Sequence, residues 1–264
     1  METCLIDDSL TTAVFSYPVA QGWVASKRLE VVPGLTAEIV TSRKRCALIG
    51  SVDAALLLDR FAVVTDVALV SHHTGDIRLW TANRPDEVEH ATVSLNGVSR
   101  TAEALARATI FHFYGIDVVG WDRMSSDGEA VVREGAAALS PVESGYLSDL
   151  VRAWFIMSGS PLATHVLVAP RDLADQGTRV LQPVIRALDA AYNVTTERRR
   201  QLRRDLEDAF GLDRDLLVAF QTDQTASLSK AARKGWLDLA RRVGRAMNLP
   251  SVEAPVIVTV NPEG

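Results

Sequence analysis

Ser99-Arg100-Thr101 follows the Asn96-Gly97 turn and stands where the β-rich run 91–95 gives way to a helical one. A helix opening there aims free backbone N–H groups, two hydroxyls and a guanidinium at whatever sits above the strand end. A guanidinium so placed can grip a carboxylate or phosphate through two parallel hydrogen bonds, so the segment outlines an anion pocket. A purely structural reading stands beside it. Strand, turn, N-cap and helix is ordinary α/β grammar, Ser99 can be a cap alone, and Arg100 can pair with Glu103 on the helix surface.

Other chemistries find little support in the residue types. His72, His73, His90, His112 and His165 form no HxxxH or Cys/His spacing, and Cys4 and Cys46 lie far apart, so neither a metal site nor a disulfide framework is expected. No GxGxxG, GxxxxGK or GxSxG occurs, which removes the usual nucleotide loops and the nucleophile elbow. With 28 basic against 33 acidic side chains the formal charge is −5, so no global field draws the chain to nucleic acid or an anionic membrane. Arg198, Arg199, Arg200, Arg203 and Arg204 read as a solvated helix face, because Glu207 and Asp208 follow Arg203 and Arg204 four residues on. No run approaches the roughly 18 apolar residues of a membrane span. The opening Met1-Glu-Thr-Cys-Leu-Ile-Asp-Asp-Ser is acidic where a secretory leader would be basic, so the expected compartment is the cytoplasm and the sequon Asn193-Val-Thr195 carries no weight.

The elements that must position these residues alternate between strand and helix. Leu10–Ser16 reads as a first buried strand, ended by Tyr17-Pro18, and Ser42–Gly50 as a short helix before a strand over Val52–Leu58. Phe61–Val70 and Ile77–Thr81 supply further strands around a turn at His72–Asp76. The polar, proline-containing segment Asn83–Glu89 is the expected crossing into a second lobe. There, a strand over Thr92–Leu95 feeds a helix whose apolar positions run from Ala102 to Phe113 and which stops at Gly115. Gly135–Glu143 reads as a small-residue strand and Val166–Pro170 as the returning one. The last third is helical, with Leu202, Leu206 and Phe210 as one stripe, a final helix over Ser229–Met247, and a tail strand over Val256–Val260. The expected fold is α/β with a discontinuous lobe, 1–86 plus 171–264, and an inserted lobe, 87–170. Loops at Ser16-Tyr17, Ser99–Thr101 and Ser140–Glu143 would face the cleft between them.

Segments along most of the chain, in their order and spacing, resemble the chorismate dehydratase family of the futalosine route to menaquinone. Val14-Phe-Ser-Tyr17 resembles its opening strand and Ser-Tyr-Leu-Asn loop, and Ser42-Arg43 through Val52-Asp53-Ala-Ala-Leu-Leu its "Pro-Ser-x-Leu … Asp-Val-Ala-Leu" segment. Val93 through Thr101 and on to Phe113-Tyr-Gly-Ile116 is similar to its "Ser-Arg-Thr-Ser" helix. Ala137-Ala-Leu-Ser-Pro-Val-Glu143, Asp149–Trp154 and Ser158-Gly-Ser-Pro-Leu162 resemble three later blocks, and Gly235-Trp-Leu-Asp-Leu to Leu249-Pro has the cadence of its closing helix. The resemblance covers most of the chain and implies a two-lobe, type II periplasmic-binding-protein-like fold with a ligand between the lobes.

It also implies a reaction. Chorismate loses a ring proton and the neighbouring hydroxyl, giving the enolpyruvyl ether of 3-hydroxybenzoate; aromatisation drives it, and no metal or redox cofactor is needed. The residues expected to hold the carboxylate substrate are Ser16, Tyr17, Ser42, Asn96, Ser99, Arg100 and Thr101. Glu143 is the acidic residue at an expected pocket loop able to move a proton, although it can equally cap a helix over 144–151. Two positions depart from the family pattern: Val19 stands where the family has asparagine, and Leu162 where it has phenylalanine. The loss of that amide leaves a second reading open, a non-catalytic solute-binding or ligand-sensing protein for a small carboxylate, and behind it a lyase or hydrolase acting on another cyclic acid.

Overall fold

A computed structural model describes residues 2–125, 128–251 and 255–260. In chain order its strands are β1 (Cys4–Asp7), β2 (Leu29–Val32), β3 (Cys46–Gly50), β4 (Phe61–Ser71), β5 (Ile77–Thr81), β6 (His90–Ser94), β7 (Asp117–Asp122), β8 (Ala130–Glu134), β9 (Tyr146–Asp149), β10 (Leu162–Pro170), β11 (Gln224–Thr225) and β12 (Ile257–Val258). The helices are α1 (Ala13–Ala20), α2 (Ala37–Arg43), α3 (Ser51–Ala55), α4 (Arg100–Thr109), α5 (Ala136–Leu139), α6 (Leu150–Ser158), α7 (Arg171–Asp175), α8 (Thr178–Glu197), α9 (Arg199–Phe210), α10 (Arg214–Asp223) and α11 (Lys230–Val243).

The strands form two sheets. One runs β11-β4-β10-β3-β1-β2, with β12 also on β4; the other runs β7-β6-β8-β5-β9. In the first, β1 is parallel to both β2 and β3, while β10 is antiparallel to β3 and β4. In the second, β6 is parallel to β7 and β8, and β5 is antiparallel to β8 and β9. Every residue of β10 is buried, Thr164 and His165 included, as a mostly apolar strand covered on both faces requires. β5 thus pairs within the second sheet and β10 within the first, so the chain passes between sheets at 72–76 and 159–161. The polar segment Asn83–Glu89 instead joins two strands of one sheet.

Several expected elements exchange type. The first strand is Cys4–Asp7, not Leu10–Ser16. Thr12 ends it locally: its hydroxyl donates to the Asp7 carbonyl and accepts from the Ser9 N–H at 3.1 Å, and the turn so made launches α1. Val19 therefore belongs to a helix and packs against the core beneath the first sheet. The helix expected over Ser42–Gly50 is over by Arg43; Lys44 takes the left-handed conformation (φ 49°), and Cys46–Gly50 is a buried strand. Val52–Leu58 begins as helix α3 and Gly135–Glu143 as helix α5, because short alanine-rich apolar runs carry no period that separates helix from strand. The helix after Ser99 ends at Gly115 (φ 74°) as read, its last turn a π-helical one.

Helix α11 binds the two halves. Its Trp236 is fully buried in the core of the first sheet and donates from Nε1 to the Ser51 carbonyl at 2.8 Å. Leu239 and Val243, on the next turns, join Val52 and Leu162 in a core shared with α4 and the second sheet. Gly235 permits this closeness, since a Cβ there would lie 2.5 Å from the Pro161 carbonyl oxygen.

Candidate active site

The carboxyl ends of β1, β2 and β3 from one sheet and of β6, β7 and β8 from the other open onto a single cleft of about 660 Å³. Such an arrangement follows from parallel strands, whose following loops and helix starts gather at one end. Asp7 ends β1 and Asp8 and Ser9 follow it, Gly34–Thr36 follow β2, Gly50 ends β3 with Asp53 on the helix after it, Gly97–Arg100 follow β6, and Arg123 follows β7. Glu134 closes β8, and His165 reaches the cleft from β10.

Glu134 and Ser99 form its central pair. The Ser99 backbone N–H donates to Glu134 Oε2 at 2.6 Å, and its hydroxyl donates to Oε1 at 2.8 Å. The same hydroxyl accepts from the Ala102 N–H at 3.1 Å, so Ser99 is both the cap of α4 and a cleft residue. Burial, aided by the nearby Asp76 carboxylate, pushes the Glu134 carboxyl up to about 7 against the hydrogen bonds from Ser99. A carboxyl in that range can accept or give a proton near neutral pH.

Arg100 reaches across the cleft. Its Nη1 lies 2.9 Å from Asp53 Oδ1 and its Nη2 3.1 Å from Glu38 Oε1, which ties α4 to α3 and α2. The alternative partner, Glu103, pairs instead with Arg107 and Arg123. Thr101 is buried, its hydroxyl accepting the Val52 N–H at 3.3 Å, and so joins the two halves rather than facing a ligand.

Below the wall, His165 Nε2 lies 3.2 Å from Asp7 Oδ2. Burial alone would raise the Asp7 carboxyl, but the hydrogen bond and charge of His165 hold it below the usual value. Asp76 is fully buried and accepts from the Thr11 hydroxyl; burial raises its carboxyl against that bond.

The other expected site residues fall elsewhere. Ser16 and Tyr17 line a second, more apolar cavity of about 410 Å³ between α1 and α9, where the Tyr17 hydroxyl donates to Asp205 at 2.7 Å; this cavity shares Asp8 and Ser9 with the cleft. Ser42 is exposed on α2 and donates to the Ile39 carbonyl. Asn96 is exposed in the turn before the cleft residues, and Glu143 is exposed and does not line the cleft. Asp7, Arg123, Glu134 and His165 were not anticipated. A signal existed for two of them: Asp7 ends the apolar Cys4-Leu-Ile run, and Glu134 ends Ala130-Val-Val ahead of a glycine. His165 lies inside an apolar strand and gives none. Among the described residues no group of three or more His, Cys, Asp or Glu is arranged to hold a metal ion, and no helix is long and apolar enough to cross a membrane.

Two sheets facing one cleft across their carboxyl ends define a two-lobe, periplasmic-binding-protein-like fold, and solved structures agree. Protein AF1704 from Archaeoglobus fulgidus is similar with a TM-score of 0.68 at 16% identity, over 92% of this chain and 98% of that one. The periplasmic aliphatic sulphonate binding protein SsuA from Escherichia coli matches with a TM-score of 0.65 at 12% identity, over 97% and 93%. The alkanesulfonate-binding protein SsuA from Xanthomonas axonopodis pv. citri, bound to MOPS, gives 0.68 at 11%, over 98% of each chain. A search of the curated proteins finds no match. The family model described as menaquinone biosynthesis matches residues 15–245, and the chain belongs to that family.

Proposed function

We propose that this chain is a carbon–oxygen lyase that dehydrates chorismate to the enolpyruvyl ether of 3-hydroxybenzoate in the cleft between its lobes. The lobes are taken to be one built from both ends of the chain and one inserted between them. The observation that carries the reading is Glu134, a carboxyl on the cleft wall fixed through both oxygens by Ser99 and poised near neutrality. Each oxygen keeps a lone pair beyond its bond to Ser99. As carboxylate, Glu134 takes the proton from the ring carbon that carries the ether; that C–H electron pair forms the new ring double bond as the C–O bond to the hydroxyl on the neighbouring carbon breaks. The same carboxyl returns its proton to the departing hydroxide, which leaves as water. The proton-transfer role expected of Glu143 thus passes to Glu134.

Arg100 supplies the carboxylate contact by exchanging partners. It keeps Asp53, which is mostly buried, and releases Glu38, whose side chain is 66% exposed and whose attraction water screens. Arg123, on the same cleft, is the second cation in reach. Purified protein incubated with chorismate, followed by ultraviolet absorbance and product mass, tests the reading: an aromatic product lighter by one water is expected. Binding measured by calorimetry without any such product would contradict it and leave the ligand-binding reading in its place.

A further inference from the structure

Beside Glu134 lies a group of buried ionisable side chains that the reaction as written does not use. His165 from β10 is 6% exposed and meets Asp7 from β1; Asp76, from the passage between the sheets, is fully buried; and Arg78 from β5 lies 3.9 Å from Asp149. Arg100 and Arg123 face Glu134 from the cleft, but carboxylates already engage them. Three buried atoms of this group, His165 Nδ1, Asp76 Oδ1 and Arg78 Nε, have no protein hydrogen-bond partner. Folded proteins pair nearly all such atoms, because each one left over is destabilising. Three ionisable side chains with unpaired buried atoms gathered beside one cleft point to groups that act on that cleft.

We propose that His165, held by Asp7, and Asp76 are positioning residues of the same reaction, two opposed charges that set how firmly Glu134 holds its proton. The inference rests on the reading of Glu134 as the proton-transfer group. His165, from the first sheet, lines the same cleft as Glu134, and a proton on its ring favours the ionised form of that carboxyl. Asp76, steadied by the Thr11 hydroxyl, adjoins Glu134 across the β5–β8 ladder, where Ile77 stands opposite Glu134 and the Asp76 carbonyl accepts from the Gly135 N–H at 2.8 Å; its carboxylate favours the protonated form. Balanced between them, Glu134 can both take a proton and give it back. Because Asp7 and His165 belong to one sheet and Glu134 to the other, the balance exists only while the two halves are closed on each other.

The two charges make opposite predictions, which a structural role would not. In ligand-free protein carrying isotope-labelled glutamate, the Glu134 carboxyl is followed by NMR through a pH titration and assigned by its absence in Glu134→Gln. His165→Asn is expected to move its midpoint up, and Asp76→Asn to move it down, each by about half a pH unit or more. His165→Gln, which retains a hydrogen bond to Asp7, carries the same expectation should the asparagine variant not fold. The proposal is overturned if folded variants leave the midpoint in place or move it in one common direction. Opposed movements without chorismate turnover would uphold this charge set while removing the dehydratase reading; turnover without them would do the reverse.

Discussion

Arg100 divides its guanidinium between a buried carboxylate and an exposed one, and the division decides what it can do for a ligand. An incoming carboxylate competes with Glu38 for Nη2, and an exposed ion pair of that kind contributes only about 0–1 kcal/mol. Glu38→Gln removes the competitor without touching the cleft wall. Affinity for a bound carboxylate should rise by up to about fivefold, and the gain should shrink in high salt. Calorimetry at low and high salt checks this; weaker binding in the variant would show that Glu38 holds Arg100 in place for the ligand. At this scale the sequence was informative where a residue ends an element. Ser99 and Arg100 are legible as a helix start beside a cleft, and Asp53 stands out as the acidic residue within the apolar run Val52–Leu58. His165 was not, because its role depends on Asp7, 158 positions away along the chain.

Elements meet the cleft through anchored passages. Asp223, the last residue of α10, accepts through one carboxylate oxygen from the backbone N–H groups of His72, His73 and Thr74 at 2.7, 2.6 and 2.8 Å. It thereby fixes the first passage between the sheets, which leads directly to Asp76. Asp223→Ala should cost about 1.5–3 kcal/mol in chemical denaturation, the range for hydrogen bonds to a charged group. Amide exchange at 72–74 should quicken with it. Unchanged stability and exchange would mean that packing alone holds the passage. The errors in reading elements share one physical origin. Leu10–Ser16, Val52–Leu58 and Gly135–Glu143 are short apolar runs, and what decides each is local: the Ser9/Thr12 turn, the proximity of β3, and the positive φ of Gly135. Longer elements with a clear period, α4 and α11, were legible because 10 and 14 residues suffice to declare a face.

For the whole molecule the decisive feature is that the lobes share a core. Leu239 and Val243 of α11 pack with Val52 and with α4, while Trp236 on the same helix fills the core of the first sheet. The two halves should therefore unfold together. Urea transitions followed by tryptophan fluorescence and by far-ultraviolet circular dichroism are expected to coincide, and Leu239→Ala should lower stability by about 2–5 kcal/mol without separating them. Two resolved transitions would contradict the shared core. The sequence resemblance captured the two-lobe plan, yet it set the opening loop at Ser16-Tyr17 when the loop that reaches the cleft is Asp7–Ser9. The valine in place of the family's asparagine consequently lies in α1 against the core, and its amide is not missing from the cleft wall at that position.

Proton transfer is assigned to the half-buried Glu134 of the cleft and not to the exposed Glu143. Turnover of chorismate by Glu134→Gln and Glu143→Gln, measured side by side with the unaltered protein, tests it most directly. Glu134→Gln should fall by about a hundredfold or more, within the range of general acid–base catalysis, with binding retained. Glu143→Gln should turn over within about twofold of the unaltered protein, as a surface substitution away from the reacting atoms does. Full activity in Glu134→Gln, or a loss confined to Glu143→Gln, would contradict the account.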